Sequence, residues 1–375
     1  MNVLITGGAG FIGTHLTRHL LQLGYEVTVL DNFSPQIHAG KTELAPDLQR
    51  HVRLVVGDVA DPTALVPALN GAECVVHLAA ETGTGQSMYE VSRYERTNLA
   101  GTALIYELLT KAQARKVERI VVASSRAIYG EGAYRCEEHG IVYPFPRTSL
   151  EKRAGLFDLA CPACGGSCEV TPTPEAAPLQ PTSFYGLTKQ VQEQTVLLFG
   201  KVLGISSFAL RYQNVYGPGQ SLHNPYTGIL AIFSNLARAG QLIQIFEDGQ
   251  ESRDFVYVED VVRATAACLS PNANGCEAVN VGSNERVTVQ VVANEINSFF
   301  GNRSEIRLTG AFREGDIRHG VADLTKVRAL LGFEPKWSFQ DGLRGFLKWA
   351  IEKELPENRF EQSLAEMKQR GLFLD

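Results

Sequence analysis

The chain has 375 residues and a formal net charge of −6, and its residues are 44% hydrophobic and 20% charged. That size and composition are ordinary for a globular protein with one large α/β unit or two smaller lobes. The acidic balance and the absence of a long Lys/Arg cluster argue against nucleic-acid binding.

The N-terminus and the cysteines indicate the compartment. The chain begins without a basic segment, and its first apolar run, residues 3–5, soon stops at glycines, which is not the pattern of a signal peptide. No apolar stretch is long enough to span a bilayer. Seven cysteines, an odd number, do not suggest a disulfide framework. We therefore expect a cytoplasmic protein that binds no membrane.

The first third of the chain alternates short apolar runs with helical patterns. The runs are rich in Val, Ile and Leu, as in strands that are buried on both faces, and cover residues 3–6, 27–30, 53–57, 74–77 and 119–123. Helical patterns between them include residues 14–23 and 98–114. The alternation predicts a Rossmann-like, doubly wound parallel sheet.

A glycine-rich turn follows the first predicted strand and opens a helix. Glycines in the segment 6–13, TGGAGFIG, allow the backbone to approach a pyrophosphate, and the helix N-terminus supplies N–H donors. Asp31 ends the second strand, where a carboxylate can bind both ribose hydroxyls and repel a 2′-phosphate. Neither Arg nor Lys occurs in the next three residues, which favours NAD over NADP.

Other strand ends also point to the predicted ligand crevice. Asp58 ends the third strand, where the alternative role is that of a turn or cap residue. Leu78, Ala79 and Ala80 close the fourth strand. Ser125 follows the fifth strand, where it can hydrogen-bond a reacting hydroxyl or, alternatively, cap a turn.

Residues 131–178 interrupt the alternation and predict an inserted lobe. The lobe contains two short-spaced pairs of metal-ligand residues, Cys136 with His139 and Cys161 with Cys164. This is the spacing of a structural zinc site with three cysteines and one histidine, and the alternative is a group of free thiols. Cys168 is a spare or substitute ligand.

The second half of the chain carries the predicted catalytic pair. Tyr185 and Lys189 begin a predicted helix over residues 185–203, and residues four apart share a helix face. A phenol has a pKa of about 10, which a nearby ammonium lowers, so Tyr185 can act as a base. An exposed Tyr/Lys pair is the alternative.

The remaining patterns complete the domain organisation. Residues 207–212 and 278–281 predict two further strands. We expect the dinucleotide-binding domain over residues 1–130, 179–216 and 251–283, the inserted lobe over 131–178, and a smaller C-terminal substrate-binding lobe over 217–250 and 284–375.

Taken in order, these motifs resemble the extended short-chain dehydrogenase/reductase family. The matching features are TGGAGFIG, the end of the second strand, HLAA, SSxxxYG, YGLTK, RYQNVYGPG, RDFVYVED and REGD at residues 313–316. They run from residue 3 to about residue 345. The resemblance implies an NAD-dependent enzyme acting on a nucleotide-diphosphate sugar, and a homodimer formed by the helices at 98–114 and 185–203.

The resemblance also implies site residues. The catalytic residues are Tyr185, Lys189 and Ser125. The cofactor contacts are Gly7, Gly10, Phe11, Ile12, Gly13, Asp31, Asn32, Asp58, Val59, Leu78, Ala79, Ala80, Asn98, Tyr185 and Lys189. The substrate contacts are Thr84, Ser125, Asn214, Arg253 and Arg313. Arginine suits the diphosphate because its guanidinium binds phosphate oxygens in a bidentate manner.

The residues after Ser125 favour one reaction. Sugar 4,6-dehydratases of this family carry an Asp-Glu pair there, whereas this chain has Arg126 and Ala127. An epimerase needs no such pair, so we expect inversion at C4. Residues 30–38, 81–88 and 225–228 resemble the dTDP-L-rhamnose 4-epimerase subgroup, whose product is dTDP-6-deoxy-L-talose.

Two kinds of alternative remain. A UDP-sugar 4-epimerase, a 4,6-dehydratase or a 4-reductase could use the same scaffold. A non-catalytic NAD-binding module belongs to another class, but such proteins usually lose the Tyr/Lys pair that is present here.

Overall fold

A seven-stranded parallel sheet forms the centre of the protein in a computed structural model that describes residues 1–111, 116–224, 228–358 and 360–374. We number its strands β1 (Asn2–Thr6), β2 (Glu26–Asp31), β3 (Val52–Val56), β4 (Cys74–His77), β5 (Arg119–Ser125), β6 (Ser206–Tyr212) and β7 (Cys276–Val281). Their order across the sheet is β7-β6-β5-β4-β1-β2-β3. All seven predicted strands are present, and the predicted Rossmann-like, doubly wound fold is confirmed.

Helices cover both faces of this sheet. They are α1 (Phe11–Gln22), α2 (Pro62–Leu69), α3 (Gly101–Thr110), α4 (Phe184–Leu203) and α5 (Val258–Ala267). Leu16 of α1 and Val261 of α5 share one apolar cluster, while Leu65 of α2 and Val196 of α4 share another. Alternate residues of the strands point into the two clusters, which explains the unbroken apolar runs.

The edge strand β3 differs from its prediction. We expected residues 53–57 to be buried on both faces, but β3 pairs only with β2, and Val56 is 62% exposed. An edge strand has a neighbour on one side only, so its apolar residues are less covered.

The helix predicted over residues 98–114 is shorter and less regular than expected. A π-helical segment, Glu95–Ala100, precedes α3, and α3 ends at Thr110. Residues 112–114 lie outside the described residues, as do residues 225–227 of the subgroup motif. Other short elements near the sheet are Pro35–His38, Thr84–Ser87, Val91–Tyr94 and the 3₁₀ turn Arg126–Ile128.

Residues 131–178, which we predict to be an inserted lobe, contain a small antiparallel sheet. Its strands are Tyr134–Cys136, Gly140–Val142 and Glu169–Val170. A helix, Ser149–Arg153, starts at Thr148, whose hydroxyl accepts from the Glu151 N–H while the Glu151 carboxylate accepts from the Thr148 N–H. This capping box stabilises so short a helix.

The C-terminal half contributes several small sheets and helices with a separate apolar core. Its strand pairs are Asn214–Tyr216 with Phe255–Tyr257, Ile243–Ile245 with Ile306–Leu308, Ser252–Arg253 with Val287–Thr288 and His319–Gly320, and Phe312–Arg313 with Phe373–Leu374. Its helices are Ile229–Ala239, Val289–Phe299, Thr325–Leu331, Phe339–Ile351 and Phe360–Gln369. The domain boundaries stay a prediction. The strand Ser252–Arg253, which we expected in the dinucleotide domain, pairs with two strands of the expected C-terminal lobe.

No helix among the described residues is long and apolar enough to cross a membrane.

Candidate active site

One cavity of about 1680 Å³ opens at the carboxyl ends of the central strands. It runs from the glycine turn after β1 to the C-terminal lobe, where Phe246 and Arg313 line it. Every residue that we predicted to contact cofactor or substrate lines this cavity, with the exception of Asn98. A ligand crevice at this position is typical of open α/β sheets.

The glycine turn has the features of an anion site. Gly10 is the N-cap of α1 and offers no side-chain acceptor, so the first N–H groups of the helix are left for a ligand. Gly13 packs α1 closely against the turn, because a Cβ at this position would lie 2.6 Å from the Gly7 carbonyl oxygen. These residues fit the pyrophosphate of a dinucleotide.

Asp31 lies at the cavity edge with its carboxylate fixed from two sides. It accepts hydrogen bonds from the Ala9 N–H at 3.0 Å and the Phe33 N–H at 2.9 Å. His38, which the sequence reasoning missed, lies 3.3 Å away through Nε2. A carboxylate held in this position can accept hydrogen bonds from the hydroxyls of a ribose.

The predicted catalytic pair meets on the first turns of α4. The Ser183 hydroxyl caps this helix by accepting from the Gly186 N–H. The Lys189 ammonium lies 5.9 Å from the centre of the Tyr185 ring and donates to the Ala123 carbonyl at 3.0 Å. Burial lowers the pKa of Lys189 to about 7.

Ser125 joins this pair because α4 closely approaches the turn after β5. Gly186 permits the approach, since a Cβ there would lie 2.6 Å from the Ala127 carbonyl oxygen. Burial raises the pKa of the Tyr185 phenol, while its hydrogen bond with Ser125 and the charge of Arg126 lower it. The three predicted catalytic side chains are thus brought together at the cavity.

A buried ion pair lies behind the catalytic side chains. Glu193 of α4 accepts from the Ser124 hydroxyl at 2.7 Å and from the Arg211 guanidinium at 2.5 and 3.0 Å. Arg211 also donates to the Tyr129 hydroxyl at 2.7 Å. The pair fixes the end of β5 against α4 and β6, so it sets the position of Ser125 relative to Tyr185.

Asn98 is buried and bonds protein groups. Its amide oxygen accepts from the Glu81 N–H at 2.9 Å, and its amide nitrogen donates to the Thr188 hydroxyl at 3.0 Å. It therefore ties the loop after β4 to α4, one residue before Lys189. A direct cofactor contact by Asn98 stays a prediction. In this structure its side chain holds the loop after β4 against α4.

The predicted substrate residues lie at the other end of the cavity. Arg253 donates to the backbone carbonyls of Ser252, Ile317 and Arg318 at 2.8 to 3.1 Å. Asn214 accepts from the Nε of Arg126 at 2.8 Å. Thr84 opens the short helix Thr84–Ser87 and lines the cavity.

Several lining residues were missed by the sequence reasoning. Arg126 is directed into the cavity beside Asn214, and burial lowers its pKa to about 9. Glu251 is only 7% exposed, its Oε2 has no hydrogen-bond partner among the described residues, and burial raises its pKa to about 7. Phe360 comes from the C-terminal tail. Only the tertiary fold brings such distant segments together.

The inserted lobe brings the four predicted metal ligands to one point. The ligand atoms of Cys136, His139, Cys161 and Cys164 all lie within 4.8 Å of one another. Cys136 Sγ is 3.7 Å from both His139 Nδ1 and Cys164 Sγ, and Cys161 Sγ is 3.8 Å from His139 Nδ1. Cys168 lies outside this group.

The chain is similar to known proteins over most of its length. The family model described as "NAD dependent epimerase/dehydratase family" matches residues 3–150 and 160–282. A dTDP-L-rhamnose 4-epimerase of Burkholderia thailandensis is 38% identical over 353 residues, which are 94% of this chain and 95% of that protein. A putative UDP-glucose 4-epimerase of Methanocaldococcus jannaschii is 30% identical and covers 92% of this chain and 97% of its own length.

Solved structures show the same likeness. The UDP-glucose 4-epimerase of Thermotoga maritima with UDP-glucose has a TM-score of 0.75 and 31% identity, and the match covers 94% of this chain and 99% of that one. The Thermus thermophilus UDP-glucose 4-epimerase in complex with NAD has a TM-score of 0.74 and 29% identity, covering 94% and 100%. The chain therefore belongs to the NAD dependent epimerase/dehydratase family.

Proposed function

We propose that this enzyme is a nucleotide-sugar 4-epimerase that inverts C4 by transient oxidation with tightly bound NAD. We further propose that its substrates are dTDP-L-rhamnose and dTDP-6-deoxy-L-talose. The observation that carries the proposal is the meeting of Tyr185, Lys189 and Ser125 at the cavity that the glycine turn and Asp31 share.

NAD fits the residues that line one end of the cavity. The free N–H groups at the start of α1 would hold the pyrophosphate, and Asp31 would hold a ribose. When bound, NAD accepts a hydride from the sugar carbon and returns it. Because no net oxidation occurs, the cofactor stays with the enzyme between turnovers.

The side chains of this protein handle the proton of the 4-hydroxyl. Tyr185 takes this proton and later gives it back, which is general acid–base catalysis. Lys189 supports the phenolate through its positive charge, and Ser125 hydrogen-bonds the reacting hydroxyl. A binding module would need none of these three groups, so their arrangement favours an enzyme.

Dehydration is disfavoured by the two residues after Ser125. Elimination of water needs an acid and a base at this place, but Arg126 is engaged with Asn214 and Ala127 has no functional group. The dTDP-sugar assignment is supported by the 38% identity to the Burkholderia thailandensis enzyme over nearly the whole chain. That identity exceeds the 30% and 31% found with the UDP-glucose 4-epimerases named above.

An assay with several sugars tests the proposal. The purified enzyme is incubated separately with dTDP-L-rhamnose, UDP-glucose and dTDP-glucose, and the products are identified by NMR. We expect inversion at C4 of dTDP-L-rhamnose without added cofactor. A stable 4-keto product would indicate a dehydratase, and stoichiometric consumption of NAD(P)H would indicate a reductase.

We also propose that the inserted lobe binds one structural zinc ion through Cys136, His139, Cys161 and Cys164. In a tetrahedral site with Zn–S bonds of about 2.3 Å, two sulfurs lie about 3.8 Å apart. The 3.7 Å between Cys136 Sγ and Cys164 Sγ fits such a site and is far longer than a disulfide bond. Four protein ligands leave no open position, so the role is structural.

Metal analysis should find close to one zinc per chain in protein purified without chelators. The Cys164→Ser variant should lose most of this zinc and become sensitive to proteolysis within the lobe, because metal binding stabilises the folded lobe. Cys276→Ser, which changes a cysteine of the central sheet, is the matched control and should keep the metal. Less than about a tenth of an equivalent in the wild-type protein would refute the site.

We propose in addition that a second copy of the chain packs on α4. Leu187, Val191, Leu198 and Val202 are exposed on this helix and lie four or seven residues apart, so they form one apolar stripe. Analytical ultracentrifugation should give twice the chain mass of 41.0 kDa. Leu198→Glu should weaken the dimer, since a charge would be buried in an apolar contact. A wild-type monomer at micromolar concentration would contradict the proposal.

A further inference from the structure

Side chains of the inserted lobe hydrogen-bond the segment that carries Arg313. Side chains from residues 131–158 contact four of the six residues at positions 313–318. Lys152 donates to the Arg313 carbonyl at 3.3 Å, and Ser149 and Lys152 donate to the Glu314 carboxylate at 2.5 and 3.1 Å. Arg147 donates to the Asp316 carbonyl at 3.1 Å. Glu131 accepts from the Arg318 N–H at 2.7 Å, and the Asp158 carboxylate pairs with the Arg318 guanidinium at 2.8 Å.

Lys152 contacts two consecutive residues of this segment. Its side chain is 2% exposed, and its ammonium lies 4.5 Å from the centre of the Phe312 ring. A buried ammonium is costly unless it is paired and hydrogen-bonded, so its two bonds fix both the carbonyl of Arg313 and the carboxylate of Glu314. A lysine on the inserted lobe thereby holds the backbone of a cavity residue.

The side chain of Arg313 lies in the cavity against two aromatic rings. Its guanidinium lies 4.9 Å from the Phe246 ring and 5.9 Å from the Phe360 ring, and no carboxylate of the described residues lies within 4.0 Å of it. Its Nε has no hydrogen-bond partner among those residues. Burial lowers the pKa of Arg313, and the negative charge of Asp316 acts in the opposite direction. Lys152 and Ser149 bind the carboxylate of the neighbouring Glu314.

We infer that Lys152 is a positioning residue for the nucleotide-sugar diphosphate, acting through the backbone of Arg313 and the carboxylate of Glu314. The inference rests on the proposed function, because it takes Arg313 as the diphosphate contact. It gives the inserted lobe a role in substrate affinity that is separate from NAD binding and from the proton transfer at Tyr185.

The test compares Lys152→Met with a matched control on the same short helix, Arg153→Met, whose side chain is exposed. Methionine keeps the packing on Phe312 and removes the charge. We expect the Kd for dTDP, measured by calorimetry on NAD-loaded enzyme, and the KM for dTDP-L-rhamnose to rise about tenfold. The kcat should stay within twofold and the NAD content should not change. Lys152→Arg should restore most of the affinity, and Arg153→Met should match wild type.

Wild-type affinity of Lys152→Met for dTDP would overturn the inference. A parallel fall of kcat and NAD content would also overturn it, since it would show a merely structural role. If Lys152→Met does not fold, Ser149→Ala removes one bond to Glu314, and an unchanged Kd for dTDP in that variant would refute the inference. A wild-type enzyme that binds neither dTDP nor UDP would refute the proposed function itself.

Discussion

Tyr185→Phe should lower the turnover of dTDP-L-rhamnose about 10³-fold while the enzyme keeps its bound NAD. The substitution removes one oxygen, so the ring still fills its place on α4, but no group remains to take the proton of the 4-hydroxyl. General acid–base catalysis contributes about 10²–10⁴-fold to a rate, which sets the expected loss. Initial rates followed by NMR and the cofactor content of the purified variant measure the two quantities.

Tyr25→Phe is the matched control for this substitution. Tyr25 packs against the core of the central sheet and does not line the cavity, so its variant should turn over like wild type. If Tyr185→Phe kept more than about a tenth of the wild-type rate, Tyr185 would not be the base.

Arg211→Met should lower the free energy of unfolding by about 3–5 kcal/mol. The substitution leaves the Glu193 carboxylate buried with only the Ser124 hydroxyl as a hydrogen-bonding side-chain partner among the described residues. An uncompensated buried charge carries this cost, whereas removing both charges is often far less destabilising. Urea unfolding of Arg211→Met and of the double variant Glu193→Met/Arg211→Met measures the difference.

An exposed pair provides the control for this second prediction. Arg307 pairs with Glu305 at 2.7 Å, but more than half of each side chain is exposed, so Arg307→Met should change stability by about 1 kcal/mol at most. If the double variant lost as much stability as Arg211→Met alone, the buried charge would not be the cause.

The parts of the protein that depend on local pattern could be predicted from the sequence. The apolar runs at 3–6 and 74–77 gave buried parallel strands, since both faces of these strands are covered by helices. Tyr185 and Lys189 were expected on one helix face, and they meet at the cavity because a helix brings residues four apart together.

The parts that depend on tertiary packing could not be predicted. In the sequence, Arg126 indicates only that an acid is absent, yet in the structure it lines the cavity and binds Asn214, which is 88 residues away in the chain. Glu251 and Phe360 reach the same cavity from segments more than 100 residues apart in the chain. The hydrogen bonds from Lys152 to residues 313 and 314 join segments that are more than 160 residues apart. No periodicity in the sequence predicts such a contact.

The central claim is that one hydrogen leaves C4 of the sugar and returns to the opposite face within the same enzyme molecule. Its most direct test uses the accepted nucleotide sugar, expected to be dTDP-L-rhamnose, labelled with deuterium at C4 and incubated in ordinary water without added cofactor. We predict that NMR will show the inverted sugar with the deuterium still on C4. Loss of the deuterium to solvent, or recovery of only uninverted sugar, would contradict the claim.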